Sequence, residues 1–351
     1  MKNYNWAVLG TGVIANETAA ALQKNGRNLF AVGNRTHGKA VAFAEKYNIG
    51  KVYDSYDEMF TDPDVDIIYI TTPHNTHYGF MKKAILNKKH ILVEKSITLN
   101  SDESRLSREQ TRFIFETNTI GIEKQAVNVD DVVETANHFR CIDMVIDDAN
   151  RALSQAMIKR LHEILKSGTL GRVNLITMNF GSFKEYNMKN RFFNRSLAGG
   201  AMLDIGVYAL SVIRWFFDSK PDNMLSQLKT APTGVDEQAS LLLSDKEGQM
   251  ATVMLSLHSK QPKRAMISCE NGYIEIMEYP RAWEAKITYT DGRTELVGAG
   301  ENSDALYYEI TDMEKAVNGG KNVMCLDYTA DVMEIMTRFR QEHGIIYPEE
   351  E

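Results

Sequence analysis

Through the first third of the chain, short apolar runs alternate with amphipathic stretches. Trp6-Ala7-Val8-Leu9 breaks at Gly10-Thr11-Gly12-Val13-Ile14-Ala15 and leads into ETAAALQKN, a good helix sequence closed by Gly26 as a C-cap. Asn28 to Gly33 predicts a second strand. His37 to Tyr47 predicts a helix, with Ala40, Phe43, Ala44 and Tyr47 at helical spacing. Val65 to Ile70 and His90-Ile91-Leu92-Val93 predict two further strands, with a helix over Asn75 to Asn87 between them. Strands that are apolar on both sides and separated by helices predict an α/β domain, a doubly wound parallel sheet covered on both faces.

The second half has a different rhythm. Thr169 to Ser182 predicts the first strand of a new domain. Alternating stretches follow at Gln238 to Leu243, Gln249 to Leu257, Ala265 to Cys269, Tyr273 to Met277, Ala285 to Tyr289 and Thr294 to Val297. Turn sequences such as Glu-Asn-Gly and Asp-Gly separate them, which predicts an α+β domain with a large, open, mostly antiparallel sheet. Ala305 to Val317 and Tyr328 to Gln341 predict closing helices. The expected division is an α/β domain over 1–148 and an α+β domain over 149–351.

Ligands of a doubly wound sheet bind beyond the carboxyl ends of its strands. Three loops there carry candidate chemistry: GTGVIA, TTPHNTH and EKS. Glycines in the first let the backbone approach a pyrophosphate at a helix N-terminus, and Ala15 takes the third glycine's place. Gly10, Thr11, Gly12, Val13 and Ile14 are therefore candidate cofactor contacts. The second strand ends in Asn34-Arg35-Thr36, with no acid for a ribose hydroxyl. Arg35 can pair with a 2′-phosphate, and Asn34 and Thr36 can hydrogen-bond it, so the expected cofactor is NADP, with NAD possible.

Composition narrows the class further. A length of 351 residues favours two domains, and 43% hydrophobic with 25% charged residues is the profile of an ordinary globular protein. A net charge of −7 with interspersed signs argues against nucleic acid or an anionic membrane as partner. No uninterrupted apolar run reaches the roughly 18 residues of a membrane span. The N-terminus moves directly into a strand, and the three cysteines form neither a disulfide framework nor a metal spacing. A cytoplasmic location is expected. His74 and His77 are not accompanied by acids or cysteines in a metal-ligand pattern.

GTGVIA, NRTHGKAVAFAEKY and TTPHNTHYGFMKKAILNKKHILVEKSITLN together resemble the Gfo/Idh/MocA family of NAD(P)-dependent oxidoreductases. The resemblance resumes at LHEILKSGTLGRV, RFFNRSLAGGAMLDIGVYALSVIRWFF and FRQEHGIIYPEE. The run Asp204-Ile205-Gly206-Val207-Tyr208 is similar to the branch of dihydrodiol and xylose dehydrogenases and glucose–fructose oxidoreductase. The resemblance implies a dinucleotide-binding Rossmann domain over 1–148, a substrate-binding and oligomerisation domain over 149–351, a sugar, diol or polyol substrate, and a homodimer or dimer of dimers formed through the C-terminal sheet. It places Lys95 at the nicotinamide, where a cation stabilises a developing alkoxide and relays a proton. Tyr208 is then the acid/base partner, and Asp204 binds substrate hydroxyls or orients Tyr208. The loop Thr71-Thr72-Pro73-His74 and Glu94 would lie along the cofactor, with His77 bonding cofactor or substrate. Gly199-Gly200 would let the Asp204 helix start close to the cofactor.

Two departures from the family pattern stand out. Ser96 replaces the proline that follows the family lysine. A charged, then amphipathic insertion at about 104–140 displaces the next strand to Met144–Ala149, and Lys124 inside it is a rival to Lys95. The stretch after that strand lacks the aromatic residue common there, and Arg151 is its candidate pocket residue. These departures keep a second function open, an NADP-binding sensor with weak or no turnover. A glycosidase that uses the nicotinamide transiently is a third, for which nothing in the chain specifically asks.

Overall fold

The computed structural model describes residues 3–102, 143–144, 155–300, 305–319 and 326–351. The 104–140 insertion with Lys124, Arg151 and most of the strand expected at 144–149 lie outside them. The chain divides into two compact units. The first is Met1–Thr98, Asp102–Asp147 and Leu306–Leu326; the second is Leu99–Ser101, Asp148–Ala305 and Asp327–Glu351.

The first unit is built on a six-stranded sheet in the order β3-β2-β1-β4-β5-β6. The strands are β1 (Trp6–Leu9), β2 (Ala31–Gly33), β3 (Lys51–Tyr53), β4 (Ile67–Ile70), β5 (His90–Val93) and β6 (Asp143–Met144), and all pair in parallel. The helices are α1 (Val13–Lys24), α2 (His37–Tyr47), α3 (Tyr56–Thr61) and α4 (His77–Leu86). Alternate strand residues point to opposite faces. Trp6, Val8, Val32, Ile67, Tyr69 and Leu92 form one core with Ala15, Ala19 and Leu22 of α1 and Phe43, Ala44 and Tyr47 of α2. That core is completed by Ile310, Met313 and Ala316 from a much later helix, Ala305–Val317. Its Glu314 accepts the Trp6 indole N–H at 2.8 Å and pairs with Arg27. This helix, expected within the second domain, packs with the first.

The second unit carries an eight-stranded sheet in the order β14-β13-β12-β11-β7-β10-β9-β8. The strands are β7 (Val173–Gly181), β8 (Pro221–Thr230), β9 (Asp236–Asp245), β10 (Met250–Ser256), β11 (Gln261–Cys269), β12 (Gly272–Met277), β13 (Glu284–Tyr289) and β14 (Thr294–Gly298). Every pairing is antiparallel except β7 with β10. One face buries Ile176, Met178, Leu241, Leu243, Val253, Leu255, Ile267, Ile274 and Ile287. The unit's helices are α5 (Gln155–Lys166), α6 (Val207–Phe216) and, numbering Ala305–Val317 as α7, α8 (Leu326–Glu342). Arg195–Phe216 is long and apolar enough by composition to cross a membrane, but most of it is buried inside the protein, as the core helix of a globular domain is.

Candidate functional site

Register places the first unit's candidate loops side by side. Leu9 pairs with Gly33 on one side and Ile70 on the other, and Ile70 pairs with Val93. The loops after β2, β1, β4 and β5 therefore leave one edge of the sheet in that order. Three strand spacings of about 4.8 Å give that edge a span of about 14 Å. The strand order reverses direction between β1 and β4, where ligands of open α/β sheets bind.

The first loop is shaped for close backbone approach. Gly10 sits at φ +110°, and a methyl there would lie 2.7 Å from Thr71 Oγ1 and 3.2 Å from the Thr71 carbonyl. The Gly10 N–H is tied to the Gly33 carbonyl at 2.8 Å, and Thr71 Oγ1 donates to the Leu9 carbonyl at 3.0 Å. Gly12 differs: among the described residues beyond its own chain neighbours, nothing lies within 4 Å of where its Cβ would be. It is the N-cap of α1, with no side-chain cap bond and no acid in the first turn. Val13, the first residue of that helix, is 78% exposed. An uncapped helix N-terminus facing open space, beside an exposed apolar side chain, fits the pyrophosphate and adjoining groups of a dinucleotide. Asn34 Nδ2 donates to Thr11 Oγ1 at 2.7 Å, joining this loop to the next, and Asn34 Oδ1 accepts from the Thr36 N–H at 2.9 Å. Arg35 is exposed, and its N–H donates to Tyr56 Oη at 2.6 Å.

Two strands away, β5 is followed by Glu94-Lys95-Ser96, and the whole run to Leu99 is buried. Tyr69 Oη donates to Glu94 Oε1. Lys95 is 8% exposed, and the Lys95–Ser96 peptide is cis. A lysine that merely closed a strand would extend to water, because burying an ammonium is costly. His77 is fully buried and lies between two main-chain carbonyls, Ser96 O at 2.9 Å from Nδ1 and Thr72 O at 2.7 Å from Nε2. Burial pushes its pKa below the ordinary imidazole range, against the pull of those carbonyls. The expected partner of His77 is cofactor or substrate. In the structure the ring is engaged by the protein, tying the Thr72 loop to the Lys95–Ser96 turn. His74 is also largely buried, edge-on to His77 at 5.8 Å between ring centroids.

The other predicted residues lie in the second unit. Met202–Gly206 forms a π-helical turn that runs into α6. Asp204 is buried in that turn, and Arg191 Nη1 donates to its Oδ1 at 2.7 Å. Between Ala201 and Leu210, Tyr208 is the one residue that keeps partial exposure, with its ring 5.7 Å from that of Phe180. The glycine pair has reasons inside this unit. A methyl at Gly199 would lie 2.6 Å from the Arg191 carbonyl, and one at Gly200, at φ +126°, 2.2 Å from Asp236 Oδ1. Arg191 was missed by sequence reasoning. Its one signal was an arginine in the RFFN run shortly before the glycine pair.

Comparison with known proteins supplies independent findings. Residues 4–109 match the family described as an oxidoreductase family with an NAD-binding Rossmann fold. Residues 158–275 match the GFO/IDH/MocA C-terminal domain. A trans-1,2-dihydrobenzene-1,2-diol dehydrogenase of Xenopus tropicalis is 25% identical over 98% of this chain and 99% of its own. The Mus musculus enzyme of the same name is 24% identical over 98% of each. Among solved structures, a levoglucosan dehydrogenase complexed with NADH and levoglucosan superposes with a TM-score of 0.79 at 16% identity, covering 98% of both chains. A 3-ketoreductase from Actinomadura kijaniata, complexed with NADP and TDP-benzene, gives 0.78 at 16%, covering 97% of this chain and 98% of its own.

Proposed function

We propose, because the chain belongs to the GFO/IDH/MocA family of oxidoreductases, that it moves a hydride between NADP and a hydroxyl or carbonyl of a sugar, diol or polyol. The observation that carries this reading is the first sheet's edge, where a glycine loop with open space at Gly12 lies two strands from the buried Lys95. The diol dehydrogenases and sugar oxidoreductases among its relatives support the substrate class. When bound, the nicotinamide supplies the carbon that accepts or returns the hydride. In the oxidative direction the substrate carbon loses a hydride and its oxygen a proton. Lys95 stabilises the developing alkoxide, and Tyr208 takes the proton, returning it in reduction. Asp204, oriented by Arg191, accepts from substrate hydroxyls. Titration with NADPH and NADH, followed by assays with aldoses, inositols and diols, tests the reading. Nucleotide binding without turnover on any of them would favour a sensor instead.

NADP is favoured over NAD because Asn34-Arg35-Thr36 offers a guanidinium and polar partners with no acid. Arg35→Ala is expected to weaken NADPH by roughly 10–100-fold, the worth of a charged hydrogen bond, and NADH by less than twofold. Equal losses for both nucleotides would remove Arg35 from the discrimination.

A second copy of the chain is the partner best matched to the second sheet's outward face. Leu225, Leu242, Thr252, Thr177, Met266, Glu275, Lys286 and Leu296 pair in register, one row across all eight strands. Leu225 is 71% and Leu296 65% exposed, and Met254 lies on the same side, half exposed. Such a surface suits a dimer interface. Sedimentation should find a dimer or tetramer, and Leu242→Asp with Met254→Asp should shift it to monomer. A wild-type monomer at micromolar concentration would reject the assignment.

A further inference from the structure

The helix that carries Asp204 and Tyr208 begins against a buried carboxylate from another element. Asp236, the first residue of β9, is fully buried, and its Oδ2 accepts the Met202 N–H at 2.6 Å. Its Oδ1 fills the hollow beside Gly200 that any side chain would take, and has no hydrogen-bond partner among the described residues. The next bond of the turn runs from the Asp204 N–H to the Gly200 carbonyl at 3.2 Å. Asp236 thus touches the start of the segment directly, two residues before Asp204.

The groups around it come from two other elements. Arg340 on α8 is buried, pairs with Glu350 and donates to the Leu99 carbonyl. Tyr347, also buried, donates to the Gly199 carbonyl at 2.7 Å. Glu237, next in the strand, pairs with Tyr186 and Lys229. Burial pushes the Asp236 carboxyl up to about 7, opposed by the Met202 hydrogen bond and the Arg340 charge.

We propose that Asp236 is a positioning residue for the dehydrogenase reaction: seated in the hollow left by Gly200, its carboxylate anchors the first turn of the Met202–Phe216 segment and so fixes where Asp204 and Tyr208 stand. An ionised carboxylate at a helix N-terminus makes a charge-assisted bond and is favoured by the helix dipole. Its protonated form holds the Met202 N–H more weakly. Turnover therefore follows the charge on Asp236 through its effect on the helix. This deepens the proposed dehydrogenase function and rests on it.

The test compares the wild type with Asp236→Asn, which keeps the shape and removes the charge. Wild-type kcat should rise with pH through neutrality. In the variant, kcat should be flat over about pH 6 to pH 8 and about tenfold below wild type at the upper end, with nucleotide binding unchanged. A wild-type profile retained in Asp236→Asn overturns the proposal. A readout that needs no variant of Asp236 is the Met202 amide, followed in protein labelled with nitrogen-15 methionine and assigned by Met202→Leu. Its shift should titrate near neutrality; a shift constant over that range overturns the proposal even if Asp236→Asn fails to fold. Wild-type protein that binds nucleotide but turns nothing over defeats the dehydrogenase reading instead, and the Met202 titration still decides the anchor.

Discussion

Lys95→Ala is expected to lower kcat by about 10²–10⁴-fold, with NADPH affinity changed by no more than a few-fold. The size follows from what the side chain would do. A preorganised cation beside a developing oxyanion acts in a site shielded from water, where no reorganisation is needed at the moment of reaction. Lys95 has the preconditions: it is buried, it lies two residues past the end of β5, and His77 Nδ1 stands 2.9 Å from the neighbouring Ser96 carbonyl. The matching control is Lys124→Ala, which should keep wild-type turnover. Single-turnover kinetics on both variants checks this. Full activity in Lys95→Ala, or its loss in Lys124→Ala, would move the catalytic role to the rival lysine.

Gly10→Ala and Gly12→Ala should separate folding from nucleotide binding. At Gly10 the alanine must adopt φ +110° and place its methyl 2.7 Å from Thr71 Oγ1. Backbone strain of this kind costs about 1–3 kcal/mol, which for a domain of this size lowers Tm by roughly 2–12 °C. The loop shift that relieves it should also weaken NADPH by tenfold or more. At Gly12, φ is −73° and no atom of the described residues beyond its chain neighbours lies within 4 Å of the added methyl. The variant should melt with the wild type yet lose nucleotide affinity, because the methyl occupies the space a pyrophosphate would use. Thermal melts and fluorescence titration of both variants give the result. Unchanged affinity in Gly12→Ala would remove the first loop from the binding site.

The first sheet was legible because strands buried on both faces read as apolar runs, and α2 was found at His37–Tyr47 with its bounds intact. Elements that lacked this signature were missed. β3 has three residues, two of them only partly buried. β8, at the sheet edge, reads PDNMLSQLKT, with most positions open to solvent. The parallel pairing of β7 with β10 was invisible, since turn sequences report only on neighbours in the chain. In the site, Gly10 and Gly12 followed from the strand–loop–helix pattern, whereas Lys95, Asp204 and Tyr208 needed the family resemblance. Arg191 and Asp236 escaped because their meaning lies in contacts with a distant turn. The π-helical geometry of Met202–Gly206 leaves no mark in MLDIG itself.

The late helix Ala305–Val317 bears on how the protein comes into being. Ile310, Met313 and Ala316 finish a core whose other members lie within the first hundred residues, and Glu314 satisfies the buried indole of Trp6. A ribosome delivers domains from the N-terminus onward, and early domains ordinarily close before later ones emerge. Here the first domain to appear cannot be completed until this helix emerges, after the second sheet. Its apolar face stays uncovered by this helix while the entire second sheet is synthesised, and the first unit cannot be excised as one continuous piece.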